Sequence, residues 1–223
     1  VFLSVGIRLP HVPLFATREW FDLYPDDESV LPFIRRDDRE DTPLFSWYLH
    51  WRLPEHRREF LERARQWQGQ VRAYLACISF LDAQVGRVLG ALRAAELEEN
   101  TVVVLWSDHG WHLGEYGIWG KATNYEIATR VPLIIFTPSM PQKGSPSDSL
   151  VELIDIYPTL CDLANIPQPD HLAGKCLVPV LRNPNAIIKG VAMSQFPTPA
   201  LREWAANPLS PEMRETFFGP LIN

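Results

Sequence analysis

Thr101-Val102-Val103-Val104-Leu105-Trp106-Ser107-Asp108-His109-Gly110 is the stretch on which the fold turns. Its first six residues are β-branched or apolar, too short for a typical helix, and read as a strand covered on both faces. A polar burst follows at Ser107 to Gly110. Asp108 and His109 leave a rigid strand end side by side, and Gly110 permits a tight turn. A carboxylate and an imidazole projected from a fixed edge suit a pair of metal ligands. The same four residues also suit a turn in which Asp108 caps the backbone and His109 is incidental. On these residues alone both readings stand.

Upstream, Val71, Tyr74, Leu75, Ile78, Leu81, Val85, Val88, Leu89 and Leu92 recur at three- and four-residue steps, which predicts an amphipathic helix between about residues 55 and 95. Downstream, Val131-Pro132-Leu133-Ile134-Ile135-Phe136 reads as a second strand closed by Thr137-Pro138, and Leu150 to Ala164 as a further helix. At the start of the chain, Val1 to Val5 reads as a short buried strand that ends at Gly6 and delivers the loop Arg8-Leu9-Pro10-His11-Val12-Pro13. Between about Phe15 and Pro54 no period is sustained, so that stretch reads as a surface excursion. Its charge run, Arg35 to Asp41, reads as a solvated face. Strands alternating with helices predict an α/β sandwich, in which ligands sit outside the carboxyl ends of the strands.

Composition narrows the functional classes. A chain of 223 residues with 46% hydrophobic residues can bury a core of ordinary size. The net charge of -6 and pI near 5.5 give no basic field of the kind that binds nucleic acid, so an anionic substrate must be held by local cations. Cys77, Cys161 and Cys176 are too few and too scattered for a disulfide framework and read as apolar thiols. No apolar run reaches the roughly 18 residues that cross a bilayer.

The residues beyond Gly110 carry a more specific signal. Trp111-His112-Leu113-Gly114-Glu115-Tyr116-Gly117-Ile118-Trp119-Gly120-Lys121, with Arg130-Val131-Pro132-Leu133 after it, resembles the second signature region of the type I sulfatases, in wording nearest the iduronate-2-sulfatase branch. Gly6 to Pro13, Tyr74 to Arg87, Leu150 to Leu153 with Tyr157 to Leu160, and Ser194-Gln195-Phe196-Pro197 agree with that branch in the same order. The resemblance implies an alkaline-phosphatase-like α/β fold, a three-layer sandwich with a mostly parallel central sheet, incomplete in this chain. It implies that residues 1–165 are the C-terminal half of the catalytic domain, with 14–54 as the excursion, and that 166–223 lead to a C-terminal subdomain.

By the same resemblance Asp108 and His109 fill metal-ligand positions for one Ca²⁺, although imidazole is an uncommon partner for a hard, oxygen-seeking cation. Lys121 matches the lysine that contacts the sulfate, and His11 the histidine that lies against the sulfate and the leaving oxygen. The chemistry is coherent: a lysine offsets sulfate charge, and a histidine can donate a hydrogen bond or a proton as the alcohol departs. Without the resemblance, Lys121 reads as a surface lysine and His11 as a histidine packed in a proline-rich loop. Trp204, after Ser194-Gln195-Phe196-Pro197, becomes a substrate-contact candidate. Trp20, Trp47 and Trp51 read as packing residues, and His50 and His56 match no metal spacing.

Two departures qualify the match. Close relatives carry Lys before the Pro-His pair, where this chain has Leu9, and the neighbouring Arg8 is a possible substitute. The C/S-x-P-x-R motif that yields the formylglycine nucleophile occurs at no cysteine or serine of this chain. The family order places it, with the paired aspartates, ahead of the His11 loop, so the missing N-terminal half of the domain is the expected partner. The expectations are a sulfuric ester hydrolase acting on a sulfated sugar, a 2-sulfated uronate among the candidates, and a chain inactive by itself. The alternatives are a phosphatase, phosphodiesterase or phosphonate hydrolase of the same superfamily, or a non-catalytic fragment. The resemblance also implies an exported location.

Overall fold

The computed structural model describes residues 1–35, 37–43 and 57–195. They fall into two compact units, Val1–Ala94 with Trp111–Thr123, and Ala95–Gly110 with Asn124–Gln195.

The first unit is organised by helix. After a short turn of helix α1 (Arg18–Phe21) come α2 (Arg58–Arg63) and α3 (Trp67–Ala94). Arg65, at φ 53°, closes α2, and the Gln66 N–H returns to Leu61 O, so α3 starts within a few residues. The predicted stripe is present, but α3 buries mainly its first half, through Val71, Ala73, Ala76 and Cys77. Ile78, Val88 and Leu89 are 37–38% exposed. Leu61, Val71 and Trp119 form the buried cluster, with Leu14, Phe60, Trp67, Leu75 and Trp111 packed around it. By length and composition α3 could cross a membrane, yet it carries Asp82 and Arg87 and supplies part of this core.

Also in this unit, β2 (His112–Leu113) pairs antiparallel with β3 (Trp119–Gly120), His112 opposite Gly120. Val1 to Val5 are not a strand. They run as irregular chain with Val1, Phe2, Leu3 and Val5 exposed, because no ladder among the described residues takes them in and their backbone groups face solvent.

In the second unit β1 (Val103–Trp106) pairs antiparallel with β4 (Leu133–Phe136), Leu105 opposite Ile134. The expectation that β1 is covered on both faces does not hold: Trp106 is 48% exposed, and Ile134, opposite Leu105, is 61% exposed. Among the described residues this ladder has two strands, which leaves outward side chains without a covering layer. Both ladders among the described residues are antiparallel. α4 (Glu126–Thr129) immediately precedes β4 in the chain.

Helix α5 (Ile156–Leu163) begins later than hydrophobicity suggests. Glu152 and Asp155 form a reciprocal capping box over the 3₁₀ turn Leu153–Asp155, and Pro158 sits in the first turn of α5, where no donor is lost. Asp155 is fully buried and accepts from the Lys175 N–H at 2.7 Å and from Lys189 Nζ at 2.7–2.8 Å. Glu152 also accepts from Lys189 Nζ, at 2.7 Å. Helix α6 (Val178–Arg182) follows and buries Val178 and Val180. Cys77 and Cys161 are buried, Cys176 is partly buried, and all three thiols are free.

Candidate active site

The segment from β2 to Lys121 is held in a cradle built from distant residues. Trp67 Nε1 donates to Leu113 O at 2.7 Å, and Arg58 Nη1 to Gly114 O at 3.3 Å. The Glu115 carboxylate accepts from the Leu113 N–H at 2.6 Å. Tyr116 takes left-handed backbone angles (φ 55°, ψ 17°), uncommon for a bulky side chain, and its N–H is held by Asp38 Oδ2 at 2.7 Å. Gly117 is also left-handed (φ 70°), and the Arg39 guanidinium occupies the space a Cβ would need. The charge run is therefore more than a solvated face: Asp38 and Arg39 are structural partners of the signature loop.

His11 and Lys121 are brought together. Lys121 Nζ lies 3.2 Å from His11 Nε2, and His11 Nδ1 is 2.7 Å from Val12 O. A carbonyl only accepts, so Nδ1 carries the proton and Nε2 presents its lone pair to the lysine ammonium. The His11 loop is a tight one, with the His11 N–H on Arg8 O at 3.0 Å and cis peptides at Leu9-Pro10 and Val12-Pro13. Arg8 Nη2 donates to Val12 O at 3.0 Å, so its guanidinium is engaged in bracing this loop.

His112 carried no signal in the sequence beyond its place in the signature. It is fully buried, its Nε2 shares a hydrogen bond of 2.8 Å with Thr123 Oγ1, and the Tyr116 ring meets it edge-on at 5.9 Å. Burial pushes its pKa down to about 4, against a smaller upward pull from a backbone hydrogen bond with Glu115. The ring is neutral at ordinary pH.

Asp108 and His109 lie in the second unit, directly after β1. Gly110 is needed there for space rather than for unusual torsion: its N–H bonds to Ala128 O at 2.8 Å, and an added Cβ would overlap the carbonyl of Ile127. His109 Nδ1 is 2.8 Å from Gly110 O, which fixes the proton on Nδ1 and the lone pair on Nε2. That Nε2 stands 3.8 Å from Asp108 Oδ1, and the Asp108 side chain is 83% exposed. The pair fits a metal as two donors with an oriented imidazole. Among the described residues no three His, Cys, Asp or Glu side chains converge on one point, whereas Ca²⁺ takes 6 to 8 oxygen ligands.

Trp204, Trp47, Trp51, His50 and His56 lie outside the described residues. Trp20 packs edge-on against Phe80 at 6.0 Å, in keeping with a packing role.

The chain is similar to proteins of known family. The Sulfatase family model matches residues 2–166. A sulfatase of Formosa agariphila is 36% identical over 195 residues, covering 87% of this chain and 38% of its own length. Iduronate 2-sulfatase of Mus musculus is 32% identical over 219 residues, covering 80% of this chain and 37% of its own. Among solved structures, a phosphonate monoester hydrolase from Silicibacter pomeroyi superposes with a TM-score of 0.64 at 29% identity, over 78% of this chain and 35% of that one. Solved sulfatases share the same architecture, so the incomplete α/β fold is of the alkaline-phosphatase type. The chain spans less than two fifths of the length of these curated relatives. With its signature loop intact and most of its length matched, the chain belongs to the Sulfatase family.

Proposed function

We propose that the protein containing this chain hydrolyses sulfate esters of a sulfated carbohydrate, a 2-sulfated uronate being the first candidate. The observation that carries the reading is the Lys121 to His11 contact of 3.2 Å, made inside a matched family region by two residues far apart in sequence. A cation beside an imidazole suits a departing sulfate ester. The ammonium offsets charge on the non-bridging oxygens, and His11 exchanges a proton at Nε2 with the leaving oxygen. Similarity to iduronate 2-sulfatase supports the uronate.

Asp108 and His109 would hold a divalent metal, which when bound supplies positive charge to an anionic group. Two donors do not complete such a site, so the remaining ligands and the formylglycine nucleophile are assigned to the N-terminal half of the domain. Trp204 is assigned to substrate contact on the resemblance of its segment.

The test compares hydrolysis of an aryl sulfate, a 2-sulfated uronate disaccharide, an aryl phosphate and an aryl phosphonate by the full-length protein. Sulfate turnover well above the other two esters supports the reading. Preference for the phosphonate supports the second reading, which the superposition on a phosphonate monoester hydrolase favours. Calorimetry on the 223-residue chain should show weak or no Ca²⁺ binding and no esterase activity.

A further inference from the structure

Lys121 directly follows the second strand of a very short hairpin, and a flexible side chain there needs its backbone fixed if the ammonium is to hold one position. Two residues supply that. The backbone of His112 pairs with Gly120, the residue before Lys121, and the side chain of His112 bonds through Nε2 to Thr123 Oγ1, two residues after it, at 2.8 Å. The Thr123 N–H also folds back onto Lys121 O at 2.8 Å. His112 therefore grips the chain on both sides of Lys121, and its own ring has no freedom to move, being fully buried against the Tyr116 ring edge.

We propose that His112 and Thr123 are positioning residues that clamp the Gly120 to Thr123 turn and so hold the Lys121 ammonium against His11. The proposal rests on Lys121 being the sulfate contact only for its effect on turnover; the placement of Lys121 is independent of that reading. The clamp is a geometric device. The His112 imidazole supplies one fixed lone pair or N–H, and the threonine hydroxyl, which can rotate, completes the bond from the far side of the lysine. A buried polar pair satisfied in this way resists opening, because each partner would be left without a replacement.

The test uses Thr123→Val, which keeps shape and removes the hydroxyl, with Thr123→Ser as the conservative rescue and Lys121→Ala as the reference. In the full-length protein, Thr123→Val should weaken inhibition by inorganic sulfate and lower kcat/KM for an aryl sulfate by about tenfold, the worth of one such hydrogen bond. Thr123→Ser should stay close to wild type. The ¹⁵N signals of the His11 ring give the second readout: Lys121→Ala moves them, and Thr123→Val should move them in the same direction. His11 signals and sulfate inhibition both at wild-type values in Thr123→Val would overturn the clamp. Movement of the His11 signals in Thr123→Val with sulfate inhibition unchanged in Lys121→Ala would keep the clamp and remove Lys121 from the sulfate site.

Discussion

The ammonium of Lys121 meets the imidazole Nε2 of His11 at 3.2 Å across 110 residues of sequence, while the other ring nitrogen is tied to the carbonyl of Val12. This leaves Nε2 as the acceptor of a lysine N–H. In that state His11 takes up a proton before it can give one, so lysine and histidine act as a unit.

Removing the Lys121 ammonium should be costly. Lys121→Ala in the full-length protein is expected to lower kcat/KM for an aryl sulfate by about 10²- to 10³-fold, the range for loss of one aligned charge-stabilising group. Lys121→Arg should rescue little, because a planar guanidinium cannot occupy the place of a compact ammonium. Steady-state kinetics with melting temperatures alongside decide it; wild-type turnover in Lys121→Ala would remove the residue from the site.

Acid should loosen the first unit through His112. Its folded pKa of about 4 lies below the ordinary 6.5, so between these values the unfolded chain binds the proton and the folded chain does not. Stability is complete above about pH 7, declines as pH falls through 6.5, and stops declining near pH 4. The loss from this one group is about 3 kcal/mol. The Thr123 hydroxyl, the Tyr116 ring and the Glu115 backbone, which meet the ring, bring no countercharge themselves. Urea unfolding of wild type and His112→Gln from pH 7 to 4 tests it, the variant being expected to show the shallower slope.

Lys189 should be costly to neutralise. Burial pulls its pKa down, but the hydrogen bonds and charges of Asp155 and Glu152 outweigh it, and the net shift is upward. The ammonium therefore stays charged to high pH, and its contribution is lost only as pH rises through the raised value. Lys189→Met leaves the fully buried Asp155 without its counterion and should destabilise by about 3 to 5 kcal/mol. The double variant Lys189→Met with Asp155→Asn should recover part of that, which chemical denaturation can measure.

Two glycines should part company. Gly110→Ala pushes a Cβ into the backbone of Ile127 and should cost roughly 1 to 3 kcal/mol, whereas Gly6→Ala meets nothing within 4 Å and should be near neutral. Melting temperatures of the two variants, compared side by side, check the close approach after β1.

Strands β1 and β4 and helix α3 were legible in the sequence, which also named Asp108, His109, His11 and Lys121 as candidates. Their signals are local: β-branched runs, three- and four-residue steps, and a dense signature. The strand expected at Val1 to Val5 failed for the complementary reason. An apolar run states what could be buried, while a strand exists only where another strand satisfies its N–H and C=O groups. The same holds for β1, whose apolar residues predicted a covering that a two-stranded ladder does not provide.

By itself, then, the sequence determined the family, the strands β1 and β4, the long helix α3 and the identities of the charged groups, since each depends on residues near one another along the chain. Tertiary structure alone decided that Lys121 meets His11, that His112 reaches Thr123 around the hairpin, and that Asp38 and Arg39 brace the signature loop rather than face water. Such pairings span up to 110 residues, and they depend on the backbone path that packing selects, which no local pattern encodes.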